Sequence, residues 1–130
     1  MLNAAIIDLS AIKSNAEKIK KILPPKTRFC AVVKANAYGH GAEKVSSAIY
    51  GVADCFAVAL AEEGVSLRLS GIDKEILVLN PLFKADAVIA ARYNLTLAAD
   101  NAKDLYYAEA AGKSLGKNIF VHIKVNTGMN

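Results

Sequence analysis

Phe29-Cys-Ala-Val-Val-Lys34 is an apolar run that ends in a charged residue, and it continues as Ala-Asn-Ala-Tyr-Gly-His-Gly41. A short, continuous apolar run is typical of a buried strand, which places the Lys34 amine where that strand leaves the core. A neutral lysine amine at such a place can form a covalent bond with a carbonyl compound. The alternative is that Lys34 only extends its charged end from the strand into solvent. The residues around Lys34 favour the first interpretation.

The stretch from Ala31 to Gly41, A-V-V-K-A-N-A-Y-G-H-G, resembles the segment of alanine racemases to which pyridoxal phosphate is attached. A second stretch, His122-Ile-Lys-Val-Asn-Thr-Gly-Met-Asn130, is similar to the segment that follows the fifth barrel strand of the same fold-type III family. The two motifs occur in the family's order, and the residues between them fit the family along essentially the whole chain. The resemblance implies a pyridoxal-phosphate-dependent racemase that interconverts L-alanine and D-alanine.

Composition describes an ordinary globular domain. The chain has 130 residues, of which 54% are hydrophobic, enough for a packed core. Its net charge of +4 comes from scattered lysines rather than a basic stripe, so we expect no nucleic-acid partner. The start, Met1 to Asp8, lacks a basic region, and no apolar run reaches membrane-spanning length, so we predict neither a secretory signal nor a membrane span. Cys30 and Cys55 lack C-x-x-C spacing and are expected to be small core residues, which suits a reducing cytoplasm.

Apolar runs alternate with amphipathic stretches along the chain. Ser10 is predicted to cap a first helix that ends at Pro24-Pro25, and Gly51, Gly71 and Gly112 are predicted to mark later helix ends. The predicted strands lie near 29–34, 55–60, 76–79, 95–98 and 119–125, and the predicted helices near 42–50, 61–70, 84–92 and 101–111. This rhythm predicts one α/β domain with a parallel sheet built from right-handed crossover units.

Five predicted strands fit either an open doubly wound sheet or the first part of an eight-stranded barrel, which needs roughly 250 residues. The resemblance implies the barrel, with residues 1–130 forming the N-terminal part of an incomplete (β/α)8 TIM-type barrel, about its first five strand-helix units. It also implies that the rest of the barrel and a C-terminal β-domain are absent from this chain. We therefore expect a fragment of a longer enzyme, with an open sheet edge that favours aggregation or partner binding.

Side-chain alternation predicts which residues share a face of the sheet. In the last strand one face carries Val121, Ile123 and Val125, and the other carries Phe120, His122 and Lys124. The aliphatic face suits packing beneath outer helices, so we expect His122 and Lys124 to point toward the barrel interior. In the first strand the same alternation groups Lys34 with Val32 and Cys30. Lys34 and Lys124 would then approach each other at the carboxyl ends of the strands, where barrel enzymes bind ligands.

The resemblance implies roles for individual residues. Lys34 is expected to hold the cofactor covalently and to act as a base that removes or returns the substrate α-proton. Tyr38 resembles a family tyrosine beside the cofactor phosphate, although a tyrosine on a rim loop is the alternative. Leu79 matches an apolar residue near the cofactor ring, and a generic core leucine explains it equally well. Lys124 resembles a lysine that is carbamylated in many members and then holds an arginine near the cofactor.

Two departures from the family pattern concern the end of the chain. The arginine that Lys124 would hold is expected just after Asn130, where the chain ends. Asn126 stands where many relatives have Asp, which changes the expected local hydrogen bonds. Gly128 nearby most simply serves a turn with positive φ.

Other candidate groups carry weaker signals. His40 and His122, with Asp8 or Asp54, have no recognisable ligand spacing, so we expect no metal site. The segment Gly39-His-Gly41 could offer backbone N–H groups to an anion, but the full dinucleotide-binding fingerprint is missing. Three serines, Ser46, Ser47 and Ser66, lie on predicted helices without an acid–base partner in sequence reach, and a structural role is expected for them.

The function implied by the resemblance is racemisation of L-alanine to D-alanine for peptidoglycan, in a cytoplasmic homodimer that uses pyridoxal 5'-phosphate. A tyrosine from the partner subunit's C-terminal domain would supply the base on the second face of the substrate, so residues 1–130 alone are expected to be inactive. Three alternatives stay open. The chain could belong to a non-enzymatic pyridoxal-phosphate-binding barrel protein, to a racemase acting on serine or another amino acid, or to a noncatalytic half-barrel that folds with another chain.

Overall fold

Parallel strands, each followed by or preceded by a helix, form one sheet in this computed structural model, which describes residues 4–128. The strands are β1 (Cys30–Val32), β2 (Cys55–Val58), β3 (Ile76–Val78), β4 (Thr96–Ala99) and β5 (Val121–Ile123). Their order in the sheet is β1-β2-β3-β4-β5, and every neighbouring pair is parallel. The predicted α/β fold with five parallel strands is confirmed. Met129 and Asn130, the last residues of the second motif, lie outside the described residues.

Within residues 4–128 one helix precedes the first strand and the others connect successive strands. They are α1 (Leu9–Ile22), α2 (Lys34–Tyr38), α3 (Ala42–Ala48), α4 (Ala61–Leu69), α5 (Lys84–Tyr93) and α6 (Ala102–Leu115). The sheet is not closed, because β1 and β5 each pair on one side only. None of the helices in this range is both long and apolar enough to cross a bilayer.

One face of the sheet holds the core. Phe56, Ile76 and Leu97 alternate with the residues of the other face, and each is at most 1% exposed. They pack with small residues of the connecting helices, such as Ala87 and Ala90 of α5, in a single hydrophobic cluster. The alanines allow these helices to lie close to the sheet, which explains why a chain with few large apolar helix residues still packs densely.

Two predicted helix ends are wrong. Asp8, not Ser10, caps α1, because its carboxylate accepts the N–H groups of Ser10 and Ala11 at 2.9 and 3.1 Å. Gly112 does not end α6, which continues to Leu115 with Gly116 as its left-handed cap. Gly112 is needed for close packing instead, since a Cβ there would lie 2.6 Å from the backbone oxygen of Lys117.

The last strand differs in part from its prediction. Val121 packs against the core, as the alternation predicts, but Ile123 and Val125 are 63% and 71% exposed. No helix follows β5 within the described residues, so nothing covers the aliphatic positions that lie beyond Val121. The first three predicted strands are also shorter in the structure, because their final residues already belong to the turns that lead into the helices, whereas β4 keeps its predicted length and lies one residue later.

Candidate functional site

The carboxyl ends of the strands bring three predicted site residues to one edge of the sheet. Lys34 follows β1, Leu79 follows β3 and Lys124 follows β5. Leu79 and Lys124 are tied to the sheet through their backbone N–H groups, which donate to Val58 O at 2.9 Å and to Ala99 O at 2.8 Å. Because all strands run in the same direction, these residues share the edge at which α/β enzymes bind their ligands.

Lys34 begins α2, which is a left-handed turn and not an ordinary helix. Ala35, Asn36, Ala37 and Tyr38 all have φ between 51° and 54°. A left-handed conformation costs a non-glycine residue roughly 1–2 kcal/mol, because Cβ approaches the following carbonyl oxygen. Four such residues in succession are rare, and strained backbone of this kind is concentrated at functional sites. The sequence prediction of a plain strand-to-helix turn here is therefore incomplete.

Polar contacts with the following residues hold this turn. The N–H of Gly41 donates to Asn36 O at 2.9 Å, and Asn36 Oδ1 accepts the N–H of Ala42 at 2.9 Å. His40 Nδ1 lies 3.0 Å from Ala37 O, so the ring donates to that carbonyl. His40 is thus occupied by the turn itself, and Gly39, with φ of 86°, supplies the change of direction that leads to α3.

Glu63 connects the turn to the neighbouring strand. Its Oε1 accepts the N–H of Ala35 at 2.7 Å, and its Oε2 accepts the N–H groups of Ala59 and Leu60 at 2.8 and 3.1 Å. Ala59 and Leu60 lie between β2 and α4, so one carboxylate joins the carboxyl ends of β1 and β2. Glu63 is not among the site residues predicted from the sequence, although a Glu in the first turn of a helix is a known capping signal.

The environments of the predicted site residues differ. Lys34 is half-buried, and its amine forms no hydrogen bond or ion pair with another residue in the range 4–128. Tyr38, on the same turn, is 62% exposed and presents its phenol to solvent. Leu79 is half-buried and Lys124 is exposed. The turn thus offers an amine and a phenol four residues apart, at the same edge of the sheet as the apolar side chain that follows β3.

A polar cluster occupies the opposite, amino end of the same sheet. Arg28 Nη2 donates to Glu75 Oε2 at 2.8 Å, and His122 Nε2 lies 3.3 Å from Glu75 Oε1. Burial raises the pKa of Glu75, but the hydrogen bond from Arg28 and the charges of Arg28 and His122 outweigh it, so this pKa lies below its ordinary value. The cluster gives this end of the sheet a paired carboxylate, and the sequence carries no signal for it, since its members are far apart in the chain.

Cys30 and Cys55 are direct neighbours in the register of β1 and β2. Both are free thiols. Desolvation and the contact with Cys55 raise the pKa of Cys30 to about 12. A thiol that stays protonated is a poor nucleophile and a poor metal ligand. Cys55 is buried, as predicted, but the prediction of a core residue is wrong for Cys30, because Cys30 lies with Val32 on the exposed face of β1.

The groups considered as metal ligands are engaged separately. Asp8 caps α1, and His40 binds the carbonyl of Ala37. Asp54 pairs with Lys20 and accepts the N–H of Phe29, and these two contacts hold its pKa below the ordinary range. His122 contacts Glu75. Within residues 4–128 the structure contains no group of three or more potential ligands.

A cleft of about 820 Å³ opens beside the left-handed turn. Asn36, His40, Glu63 and Ser66 are among its lining residues, whereas Lys34, Tyr38, Leu79 and Lys124 are not. Ser46 is fully buried on α3, and its hydroxyl has no hydrogen-bond partner among the described residues. The Ser66 hydroxyl donates to the backbone oxygen of Glu62 at 3.3 Å, in keeping with the structural role expected for it.

Comparisons with known proteins match this architecture. A family model described as "Alanine racemase, N-terminal domain" covers residues 7–130. Alanine racemase 1 of Bacillus subtilis is 43% identical over 127 residues, which is 97% of this chain and 32% of the relative. The solved alanine racemase of Clostridium difficile 630 superposes with a TM-score of 0.90 at 32% identity, over 95% of this chain and 32% of that one.

A further solved structure, the alanine racemase of Bacillus anthracis with bound L-Ala-P, matches with a TM-score of 0.83 at 34% identity. The match covers 95% of this chain and 32% of that structure's chain. The chain thus spans about a third of the length of the relatives it matches. These neighbours have the TIM-barrel fold, so the unclosed five-stranded sheet corresponds to an incomplete barrel, as the family resemblance implies.

Proposed function

Because this chain belongs to the alanine racemase family, we propose that residues 1–130 form the N-terminal part of the barrel of a pyridoxal-phosphate-dependent enzyme that converts L-alanine to D-alanine. The remainder of the barrel and a C-terminal β-domain would come from a longer protein. The observation that carries the proposal is the half-buried Lys34 amine, held at the carboxyl edge of the sheet at the start of a strained turn.

The residues at this edge suit the chemistry of pyridoxal phosphate. Lys34 offers an amine that is not paired with another described residue, and this amine would bind the cofactor aldehyde. The Tyr38 phenol, on the same turn, would donate to the phosphate. Leu79 would pack against the ring, which needs an apolar neighbour. When bound, the cofactor supplies an electron sink that spreads the charge left when the substrate loses its α-proton.

We assign the proton transfers to residues on opposite faces of the substrate. Lys34 Nζ would take the α-proton on one face, or return it there, once its bond to the cofactor is released. The left-handed turn fixes the backbone next to Lys34, which limits the positions that Nζ can reach. A tyrosine from the partner subunit's C-terminal domain would serve the other face, and this requirement makes a homodimer the expected active form.

Lys124 is proposed to act as an anion. Carbamylation would convert its cationic amine into a carboxylate-like group. This group would hold the side chain of an arginine that follows Asn130 in a longer protein. The position of Lys124 directly after β5 places the group at the same edge as Lys34. An arginine held in this way would stabilise negative charge on the cofactor oxygen.

The substrate is proposed to be alanine, on the strength of the relatives, one of which was solved with bound L-Ala-P. We further propose that the enzyme works in the bacterial cytoplasm and supplies D-alanine for peptidoglycan. No residue discussed here excludes a racemase of the same family that acts on serine or another amino acid. A non-enzymatic cofactor-binding barrel is the second candidate, but it would not need the Lys124 segment.

The test is borohydride reduction of the intact protein with pyridoxal phosphate, followed by peptide mapping. The pyridoxyl group should be found on Lys34, and Lys34→Ala should abolish labelling of that peptide and racemase activity. Lys44→Ala, on the exposed face of α3, is the matched control and should label as the wild type does. Labelling of another lysine, with activity retained in Lys34→Ala, would contradict the assignment.

A further inference from the structure

Glu63 links the turn that carries Lys34 to the next strand of the sheet. Its two carboxylate oxygens accept three backbone N–H groups at 2.7 to 3.1 Å. One belongs to Ala35, after β1, and the other two belong to Ala59 and Leu60, after β2. We propose that Glu63 is a positioning residue, which fixes the direction of turn α2 and thereby the places of the Lys34 amine and the Tyr38 phenol. This inference rests on the proposed function.

Glu63 contacts Ala35, the residue at which the left-handed turn begins. Ala35 is the first residue with left-handed backbone and directly follows Lys34. Its N–H belongs to the first turn of α2, where backbone donors have no partner within the helix. Glu63 Oε1 satisfies this donor at 2.7 Å, a distance typical of hydrogen bonds to ionised carboxylates. The bond therefore fixes the peptide unit that joins Lys34 to the strained segment.

The second oxygen anchors the carboxylate itself. Oε2 accepts the N–H groups of Ala59 and Leu60 at the amino end of α4, where the helix dipole favours negative charge. Glu63 is half-buried, so its side chain has few alternative positions. Because α4 packs on the sheet through buried Ala61 and Leu67, this anchor is rigid, and the Ala35 contact transmits that rigidity to the turn.

The chemistry of the three donors distinguishes a carboxylate from an amide. Gln at position 63 would keep the shape and one acceptor oxygen, but its NH₂ group cannot accept a hydrogen bond. It could therefore serve the Ala35 side or the Ala59 and Leu60 side, not both. Ala at this position would serve neither. The neighbouring Glu62 is exposed, lies on the same first turn of α4 and provides a matched control.

The experiment compares intact wild-type protein with the variants E63Q, E63A and E62Q. In cofactor-free protein, hydrogen–deuterium exchange of the Ala35 amide should rise about fivefold in E63A, as expected for one lost hydrogen bond, with a smaller rise in E63Q. After pyridoxal phosphate is added, the visible absorbance band of the lysine-bound cofactor should shift, and kcat should fall about tenfold or more while KM changes little. E62Q should match the wild type in each measurement.

The outcomes separate this inference from the proposed function. If wild-type protein fails to bind pyridoxal phosphate through Lys34, the proposed function is wrong, whatever the exchange data show. If it binds, and E63A lowers only the melting temperature while its absorbance band and kcat per folded molecule match the wild type, Glu63 is merely structural and the inference fails. Unchanged exchange at Ala35 in E63A would overturn the inference equally.

Discussion

His122 on β5 places its Nε2 3.3 Å from Oε1 of Glu75, across the intervening strand β4. The same carboxylate binds Arg28, which lies just before β1. A single glutamate thus links the two edge strands of the sheet through β3. Its contacts stabilise the relative positions of strands that do not touch each other.

Glu75→Gln should lower the stability of the intact protein at neutral pH by about 1 kcal/mol, since Arg28 is largely exposed and its pairing is screened. The folded-state pKa of Glu75 is below its ordinary value of 4.5, so the stabilisation is present above that value and is lost as pH falls through the folded pKa. Urea denaturation at several pH values should show the wild-type advantage vanishing in acid.

Glu109→Gln is the control for this prediction. Glu109 pairs with Lys113 on the surface of α6, and both side chains are more than half exposed. Loss of this surface pair should change the free energy of unfolding by no more than about 0.5 kcal/mol. Equal effects of the two substitutions at neutral pH would show that the Glu75 cluster contributes no more than a surface pair.

Asn36→Ala should destabilise the left-handed turn by about 2 kcal/mol, because it removes the acceptor for the Ala42 N–H and a side chain that tolerates positive φ. Asn36→Gly should cost about 1 kcal/mol, since glycine adopts this conformation without strain. Urea denaturation of the intact protein measures both values. Asn15→Ala, at an exposed position of right-handed α1, should be neutral or slightly stabilising. Equal costs for Asn36→Ala and Asn36→Gly would contradict the role assigned to the backbone strain.

Lys124→Ala should lower the racemisation rate about a hundredfold, as removal of one electrostatic stabiliser does in other enzymes. Added short carboxylic acids should restore part of the rate, because they replace the missing anion. Lys117→Ala is the control, since the Lys117 amine contacts Arg92 O and Asn94 Oδ1 before β5. A crystal structure with an unmodified Lys124 amine, or a Lys124→Ala variant that carboxylic acids do not rescue, would contradict carbamylation.

Residues 1–130 alone should not racemise alanine. The expected arginine, the other phosphate-binding loops and the second base would all be supplied by other segments, and correct positioning of such groups can be worth roughly 7–11 kcal/mol of barrier. A coupled assay for D-alanine, with added pyridoxal phosphate, should detect no turnover next to the intact protein. Turnover that approaches that of the intact protein, and that disappears in Lys34→Ala, would show that this segment holds a complete site.

The strands and most helices could be predicted from the sequence, because short apolar runs, such as the one that contains Cys55–Val58, alternate with amphipathic stretches. The face of His122 was also predictable, since alternation in a strand has a period of two. Alternation does not reveal partners, however. Glu75 and Arg28 are 47 residues apart in the chain, and only the strand register brings them together.

The turn after β1 shows a different limit of sequence prediction. Alanine favours right-handed helix, so Ala35 and Ala37 give no indication of left-handed backbone. Their conformation is imposed by tertiary contacts, among them the bond from Ala35 to Glu63 on another helix. Gly112 was misassigned for a related reason, because the close approach of Lys117 becomes visible only when the chain is folded.

The strand order β1-β2-β3-β4-β5 has a consequence for how the chain acquires its structure. Each strand pairs only with its neighbours in the sequence, so every ladder is formed by segments that leave the ribosome one after the other. A newly synthesised strand can pair with a strand that is already part of the sheet, and it needs no segment that is synthesised later. Growth of this kind is vectorial, and it leaves β5 as the site at which any later strand would be added.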